Sequence, residues 1–383
     1  MTQVLPGAHG ADLSMVLPSI GAHLDVPGCQ DQLGLPAATR WVVLMVDGLG
    51  WQQLQDHRHL AAQFSDMQGR PISATVPSTT GTSLTSLGTG LWPGRHGMVG
   101  YLFRPAVGEP LVNAVTWDNG PDPLALQPEP TVFERATAAG VEVRSVVPAR
   151  FENSGLTGVA LRGTEVSGLV DEDDLDDRLQ RTVEAVGTGE RSLVYVYERA
   201  LDHTGHRLGV DSPQWREVLR RTSEFTADLV DALAERHGDE VAVVVTGDHG
   251  MVDVPGHHRV IVEWEPSLLT EVAQVAGEGR MRQLYTESPG SVAARWRRLL
   301  GERAWVLRRE EAIEAGWFGP VDPRVAPRIG DVLVAMRSDW AVMTTAYPKE
   351  LDLVGMHGSL TPDEMLVPLL VEGGRSVDGG HHG

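Results

Sequence analysis

The stretch Trp41-Val-Val-Leu-Met-Val-Asp47-Gly-Leu-Gly50 decides the reading of this chain. Six apolar, largely β-branched residues run without a polar interruption and then break at an aspartate between turn-forming glycines. A strand buried on both faces of a parallel sheet ends in this way. Similar runs recur at Val141 to Val147, Leu193 to Tyr197 and Val241 to Thr246. Helical patterns lie around and between them, at Thr131 to Ala139, Asp174 to Val186 and Pro213 to His237. Strands alternating with helices predict an α/β fold, a mostly parallel central sheet sandwiched by helices.

Working outward, residues 1–38 read as a polar lead-in with one short amphipathic helix near Ala11 to Leu24. Residues 39–256 and 347–375 form the expected core. Between them, residues 257–346 change rhythm: strands are expected at Arg259 to Trp264, Arg282 to Thr286 and Asp331 to Met336, with a helix at Ser291 to Leu300. This is a small α+β insert capping the core. Residues 376–383 are expected to be a disordered tail. The acidic run Asp171 to Asp177 opens a predicted helix, where carboxylates complement the free N–H groups.

Composition narrows the function classes. The chain has 383 residues, 32 basic and 52 acidic, for a net charge of -20, and every basic residue but Lys349 is arginine. A globally acidic surface repels a phosphate backbone, so a nucleic-acid polymer is not an expected partner. A small phosphorylated substrate is compatible, because a bound divalent metal reverses the local sign. Cys29 is the only cysteine, which excludes an internal disulfide framework and a thiolate metal cluster. No signal-like start and no run of 18 apolar residues is present, so a cytoplasmic location without membrane attachment is expected. The sequence says nothing about oligomeric state.

Open α/β sheets place their sites at the carboxyl ends of strands. Asp47 ends the first run, Asp202 and His206 follow the run ending at Tyr197, and Asp248 and His249 follow the run ending at Thr246. A further element, Gly355-Met-His357-Gly358, precedes the apolar run Met365 to Val371. Singly, each residue reads as a cap or a structural histidine. Together, three aspartates and three histidines form a thiolate-free set suited to borderline divalent ions. The hydroxyl-rich segment Ala74 to Gly90 turns helical from Gly81, which puts Thr80 at a helix N-terminus, a place that favours an anion.

These residues, Val46-Asp47-Gly48, Pro77-Ser-Thr-Thr80, Gly90-Leu-Trp-Pro-Gly-Arg-His96-Gly97, Asp202-His-Thr-Gly-His206, Gly247-Asp248-His249-Gly250-Met251 and Gly355-Met-His357-Gly358, resemble the alkaline phosphatase superfamily in type and order. The nucleotide pyrophosphatase/phosphodiesterase branch is most similar, with phosphonoacetate hydrolase a near relative. The resemblance implies two metal ions per chain, zinc or alternatively manganese. Asp202, His206 and His357 would hold one, and Asp47, Asp248 and His249 the other. Thr80 would touch the second ion and act as nucleophile, through a covalent phosphothreonine. It implies hydrolysis of phosphodiester or pyrophosphate bonds in small nucleotide-like substrates. Carbon–phosphorus bond hydrolysis, phosphomonoester hydrolysis and a catalytically inactive metal-binding homologue are the alternatives.

Where that branch carries an asparagine after its His-Gly pair, this chain has Tyr101, so a substrate contact is expected from Tyr101, with Asn153 as an alternative donor. Arg95 is expected to face solvent. No second cation for the terminal charges of a monoester stands out, which favours diester or pyrophosphate bonds. A dinucleotide-binding fold is excluded by Gln53, which stands where the fingerprint beginning at Gly48 requires a small residue. A serine hydrolase is excluded because no Gly-x-Ser-x-Gly elbow occurs.

Overall fold

The computed structural model describes residues 2–7, 10–118 and 120–375. In chain order its principal strands are β1 (Arg40–Val46), β2 (Gln68–Ser73), β3 (Glu142–Pro148), β4 (Glu165–Leu169), β5 (Ser192–Glu198), β6 (Val241–Thr246), β7 (Gln274–Glu278), β8 (Met281–Tyr285), β9 (Ala304–Arg308), β10 (Val332–Met336) and β11 (Leu366–Gly373). The principal helices are α1 (Val16–His23), α2 (Thr80–Thr89), α3 (Val132–Ala138), α4 (Leu175–Val186), α5 (Ala200–Leu208), α6 (Pro213–His237) and α7 (Pro289–Leu300).

Seven strands form the central sheet in the order β2-β11-β6-β1-β5-β3-β4. The five strands from β6 to β4 pair in parallel, and β11 runs antiparallel to both β6 and β2. The expected α/β fold is therefore observed, as a mixed sheet. β1 lies at its centre, and Trp41 through Val46 are fully buried. Side chains on its two faces enter different apolar clusters: Trp41, Val43 and Met45 join one, Val42, Leu44 and Val46 the other. Helices cover both faces, which explains why the strand shows no polar alternation.

The N-terminal segment departs from the expected polar lead-in. A single 3₁₀ turn at Leu13–Met15 leads into α1, and Leu13, Val16, Leu17, Ile20 and Leu24 are all fully buried in the cluster that holds Trp41. Glycine and proline around this helix mask a strong apolar stripe in the composition. The acidic run behaves as expected: Asp174 caps α4 by accepting from the Asp177 N–H, and Asp176 and Asp177 occupy the first turn.

Within residues 257–346 a second sheet forms in the order β7-β8-β10-β9, antiparallel throughout. One face carries α7, whose Trp296 joins Leu284, Val306 and Val334 of the sheet in one apolar cluster. The other contributes Met281, Leu333 and Ala335 to the same apolar cluster as β1. Only the first half of the expected strand Arg259 to Trp264 is extended, since Val262–Trp264 forms a 3₁₀ turn. The expected tail at 376–383 lies outside the described residues.

Candidate metal centre

The site grows from the carboxyl edge of the central sheet. Asp47 follows β1, and Gly48 after it has φ +75. A Cβ at Gly48 would stand 2.9 Å from the Asp202 Cα, so the bare glycine is what lets the β1 turn approach α5. Asp202 and His206 are four residues apart on α5 and face the same way. Asp248 and His249 follow β6 after Gly247, and His357 follows a short strand at Gly355–Met356.

These six side chains fall into two groups, Asp202 with His206 and His357, and Asp47 with Asp248 and His249. Within each group the ligand atoms lie within 4.8 Å of one another. His249 Nε2 is 3.4 Å from Asp248 Oδ2 and 3.5 Å from Asp47 Oδ1. His206 Nε2 is 3.4 Å from Asp202 Oδ1. The rings of His249 and His357 stack at 3.6 Å, which joins the groups into one centre.

Two features fit this donor set to divalent ions. Asp47 Oδ1, Asp202 Oδ1 and Asp248 Oδ2 are buried without a hydrogen-bond partner, an arrangement that is costly unless a cation meets them. Each histidine also has its Nδ1 against a backbone carbonyl: His206 to Gly355 O at 2.8 Å, His249 to Gly250 O at 3.0 Å, and His357 to Ser78 O at 2.9 Å. A carbonyl only accepts, so Nδ1 carries the proton and Nε2 presents its lone pair to the centre. Burial and the neighbouring carboxylates of Asp248 and Asp202 push the Asp47 carboxyl well above its usual range. Burial, with His249 and His206 alongside, holds the His357 imidazole well below its own. Tyr197 donates its hydroxyl to Asp47 Oδ2, and the Gly48 N–H donates to Asp248 Oδ1 at 3.0 Å.

Thr80 is the first residue of α2, and no side chain caps that helix. Its Oγ1 is 3.3 Å from His249 Nε2. The hydroxyl thus sits between the metal-type donors and free N–H groups that suit a phosphoryl oxygen. The cavity over the centre is about 340 Å³ and is lined by Thr80, by Asp47, Asp202, His206 and His357 of the two donor groups, and by Tyr101.

Tyr101 therefore lines the cavity beside the centre, where a contact to substrate is expected of it. Asn153 is not: it is exposed and lines a separate shallow cavity with Pro123, Arg162 and Val166. The turn after β3 carries it to the outer surface, which removes it as the alternative donor. Arg95 is exposed as expected. Sequence reasoning missed other polar residues at the cavity, among them Tyr197, Arg199, Glu278 and Lys349. Arg199 and Lys349 correct the expectation that no further cation is available. Lys349 carried a signal in being the only lysine. Glu278 carried none: it ends β7, a strand with no counterpart in the sequence reading. Its Oε2 accepts from the Thr79 hydroxyl at 3.4 Å, and burial pushes its carboxyl well up.

The model of the family described as type I phosphodiesterase / nucleotide pyrophosphatase matches residues 41–360. Human ectonucleotide pyrophosphatase/phosphodiesterase family member 7 is 26% identical over 271 residues, covering 66% of this chain and 54% of that protein. An uncharacterized pyrophosphatase/phosphodiesterase of Schizosaccharomyces pombe is 27% identical over 192 residues, covering 46% of this chain and 37% of that one. These alignments span about half or less of the relatives' length. Among solved structures, murine ectonucleotide pyrophosphatase/phosphodiesterase 5, an inactive threonine-to-alanine variant in complex with AMP, superposes with a TM-score of 0.69 at 16% identity over 88% of each chain. The human counterpart gives 0.68 at 18% identity, covering 87% of this chain and 88% of that one.

Proposed function

The chain belongs to the type I phosphodiesterase / nucleotide pyrophosphatase family, and from that membership we propose that it is a metal-dependent hydrolase of phosphodiester or pyrophosphate bonds in small nucleotide-like substrates. The observation that carries the reading is the pair of three-residue donor groups, with their orphaned carboxylate oxygens, converging beside Thr80. AMP held by the murine fold neighbour supports a nucleotide-like substrate.

Asp202, His206 and His357 would hold one ion, and Asp47, Asp248 and His249 the other, zinc by donor chemistry with manganese as the alternative. When bound, two such ions supply Lewis acidity that acidifies a hydroxyl and neutralises phosphoryl charge. The residues of the chain do the rest. Thr80, released of its proton to solvent, forms an Oγ–P bond as the P–O bond to the leaving group breaks. The open N–H groups at the start of α2 receive a non-bridging phosphoryl oxygen. Water then attacks the phosphothreonine, its oxygen passes to phosphorus, and Thr80 regains its proton. Tyr197 holds Asp47 in place through its hydroxyl, and the carbonyls of Gly355, Gly250 and Ser78 fix the three imidazoles. Residues 257–346 act as a cap that delivers Glu278 to the cavity wall.

Retention of Thr80 next to the complete donor set argues against an inactive metal-binding homologue. Arg199 and Lys349 keep monoesters and phosphonates among the substrates to be offered. Hydrolysis of an aryl phosphodiester, an aryl phosphomonoester and phosphonoacetate by the purified, metal-loaded chain tests the reading. Turnover of the diester above the other two supports it; no turnover of any of them overturns it.

A further inference from the structure

The Thr80 cavity opens into a second, smaller space. Thr80, Val115, Phe151 and Tyr197 line both, so the two join beside Thr80. Beyond that mouth the smaller space is walled by Leu84, one turn after Thr80 on α2, and by Val147 near the end of β3. Leu156 of the short helix Gly155–Ala160, Leu161 just after it and Tyr195 of β5 complete the apolar wall. The slot measures about 60 Å³, against about 340 Å³ for the main cavity.

The hydroxyls of this wall are engaged, with one exception. Thr157 donates to Phe151 O at 2.7 Å, Ser154 donates to Thr157 Oγ1 at 3.0 Å, and Tyr197 donates to Asp47. Tyr195 is fully buried, and its hydroxyl has no hydrogen-bond partner among the described residues. It lines the slot and not the main cavity, which puts that hydroxyl beyond the mouth. A phenol unmet in an apolar wall is costly unless a ligand atom meets it. Val115, at the mouth, is 42% exposed and makes the entrance apolar too. Two cavities of unequal size meeting at Thr80 match the two organic substituents of a diester, whereas a monoester has nothing to place in the second.

We infer that the slot is the subsite for the substituent that stays on phosphorus, and that this substituent is a short alkyl group with a terminal oxygen that meets the Tyr195 hydroxyl. At ~30 Å³ for a water-sized group, a slot of about 60 Å³ admits roughly two or three heavy atoms. Thr80 and Leu84 are part of its wall, so it lies on the side from which Thr80 attacks, whereas the leaving group departs on the opposite side. The Oγ–P bond forms, the P–O bond to the leaving group breaks, and the bond from phosphorus to the slot substituent stays intact. A nucleoside-like portion is too large for the slot and belongs in the main cavity as the leaving group. The substrate class is then an asymmetric phosphodiester, or a phosphonate monoester, with one short and one large substituent. This inference rests on the proposed hydrolase reading for the position of phosphorus. Binding of a short alkyl group in the slot does not depend on turnover.

The test is calorimetry of the full metal-loaded chain with methyl-, propyl- and octylphosphonate. Propylphosphonate is expected to bind about tenfold more tightly than methylphosphonate, the gain from two buried methylene groups, and octylphosphonate no more tightly than propylphosphonate. Leu156 is half-buried, and Leu156→Trp fills the slot. It is expected to abolish the gain while methylphosphonate binds as in the parent, which also shows that the variant is folded. Tyr195→Phe is expected to weaken 2-hydroxyethylphosphonate about fivefold relative to propylphosphonate, its isostere. Equal binding of methyl- and propylphosphonate by the parent, a gain that survives Leu156→Trp, tighter binding of octylphosphonate, or an unaltered ratio in Tyr195→Phe overturns the subsite. The nitrophenyl esters of methyl- and propylphosphonate carry the test to turnover, where kcat/KM is expected to favour the propyl ester about tenfold in the parent and not in Leu156→Trp. Cleavage of both esters with equal kcat/KM overturns it as well. If neither ester is cleaved but the binding gain is present and is lost in Leu156→Trp, the hydrolase reading fails and the slot stands.

Discussion

At the scale of single residues, Thr80 and the six donors carry the account. Thr80→Ala removes only the hydroxyl proposed as the nucleophile, so turnover is expected to vanish while metal content, measured by plasma mass spectrometry, stays near that of the parent. Asp248→Ala and His357→Ala each delete one proposed ligand and are expected to lower the metal bound per chain; unchanged stoichiometry in both would sink the ligand assignment. His96 is a separate matter. It is buried, bonded to Ser86 Oγ at 2.8 Å, and burial beside Arg328 holds its imidazole down to about 3. The unfolded chain takes up that proton near the ordinary histidine value, whereas the folded chain refuses it until far lower pH. Folding is thus expected to lose up to about 1.4 kcal/mol per pH unit from this group as pH falls from about 6.5 towards 3. Urea unfolding of His96→Gln over that range should show a shallower acid slope than the parent, and identical slopes would refute the assignment.

At the scale of elements, the approach of the β1 turn to α5 sets the distance between the two donor groups. Gly48→Ala puts a Cβ against the Asp202 backbone at a positive φ, and a loss of about 1–3 kcal/mol in stability is expected. Lower metal content should accompany it, because Asp202 must move; full stability in the variant would show that the contact is soft. The elements legible in the sequence were those buried on both faces. β1, β5 and β6 announce themselves because nothing polar interrupts them, and α6 because Pro213 and His237 bracket an amphipathic run. The edge strands were not legible. β2 contains Gly69 and Pro71 and is largely solvent-facing at its start, and β4 at the opposite edge mixes Glu165, Ser167 and Gly168 among few apolar residues. An edge strand needs only one paired flank, so its sequence is under weaker apolar constraint.

At the scale of the whole molecule, the second sheet is tied to the catalytic edge by a buried ion pair. Arg280, just before β8, donates to both oxygens of Glu364 at 2.9 and 2.6 Å, and both side chains are fully buried. Glu364 also accepts from the Ser359 N–H at 3.0 Å, and its backbone carbonyl accepts from the Gly250 N–H at 2.8 Å, one residue beyond His249. Glu364→Gln would leave Arg280 charged and uncompensated, at an expected cost of about 3–5 kcal/mol in urea unfolding. A cost near zero would mean that the two sheets are held by apolar contact alone. The same long-range assembly explains which parts of the site the sequence could and could not reveal. Asp47, Asp202 and Asp248 stand at the ends of recognisable strands or just beyond them, so topology alone brings them together. Glu278, Lys349 and Arg199 reach the cavity from a weakly patterned strand, a 3₁₀ turn at Pro348–Asp352 and a helix cap, where no local spacing marks them. Asn153 shows the converse, a polar residue near a strand end that the following turn carries away from the site.

The central claim is that Thr80 attacks phosphorus at a two-metal centre. It is tested most directly by measuring metal content and aryl phosphodiester turnover on the same preparations of the parent chain and Thr80→Ala. About two ions per chain in both proteins, with turnover in the parent alone, is the expected result. Turnover that persists in Thr80→Ala, or that survives complete removal of the metal, would contradict it.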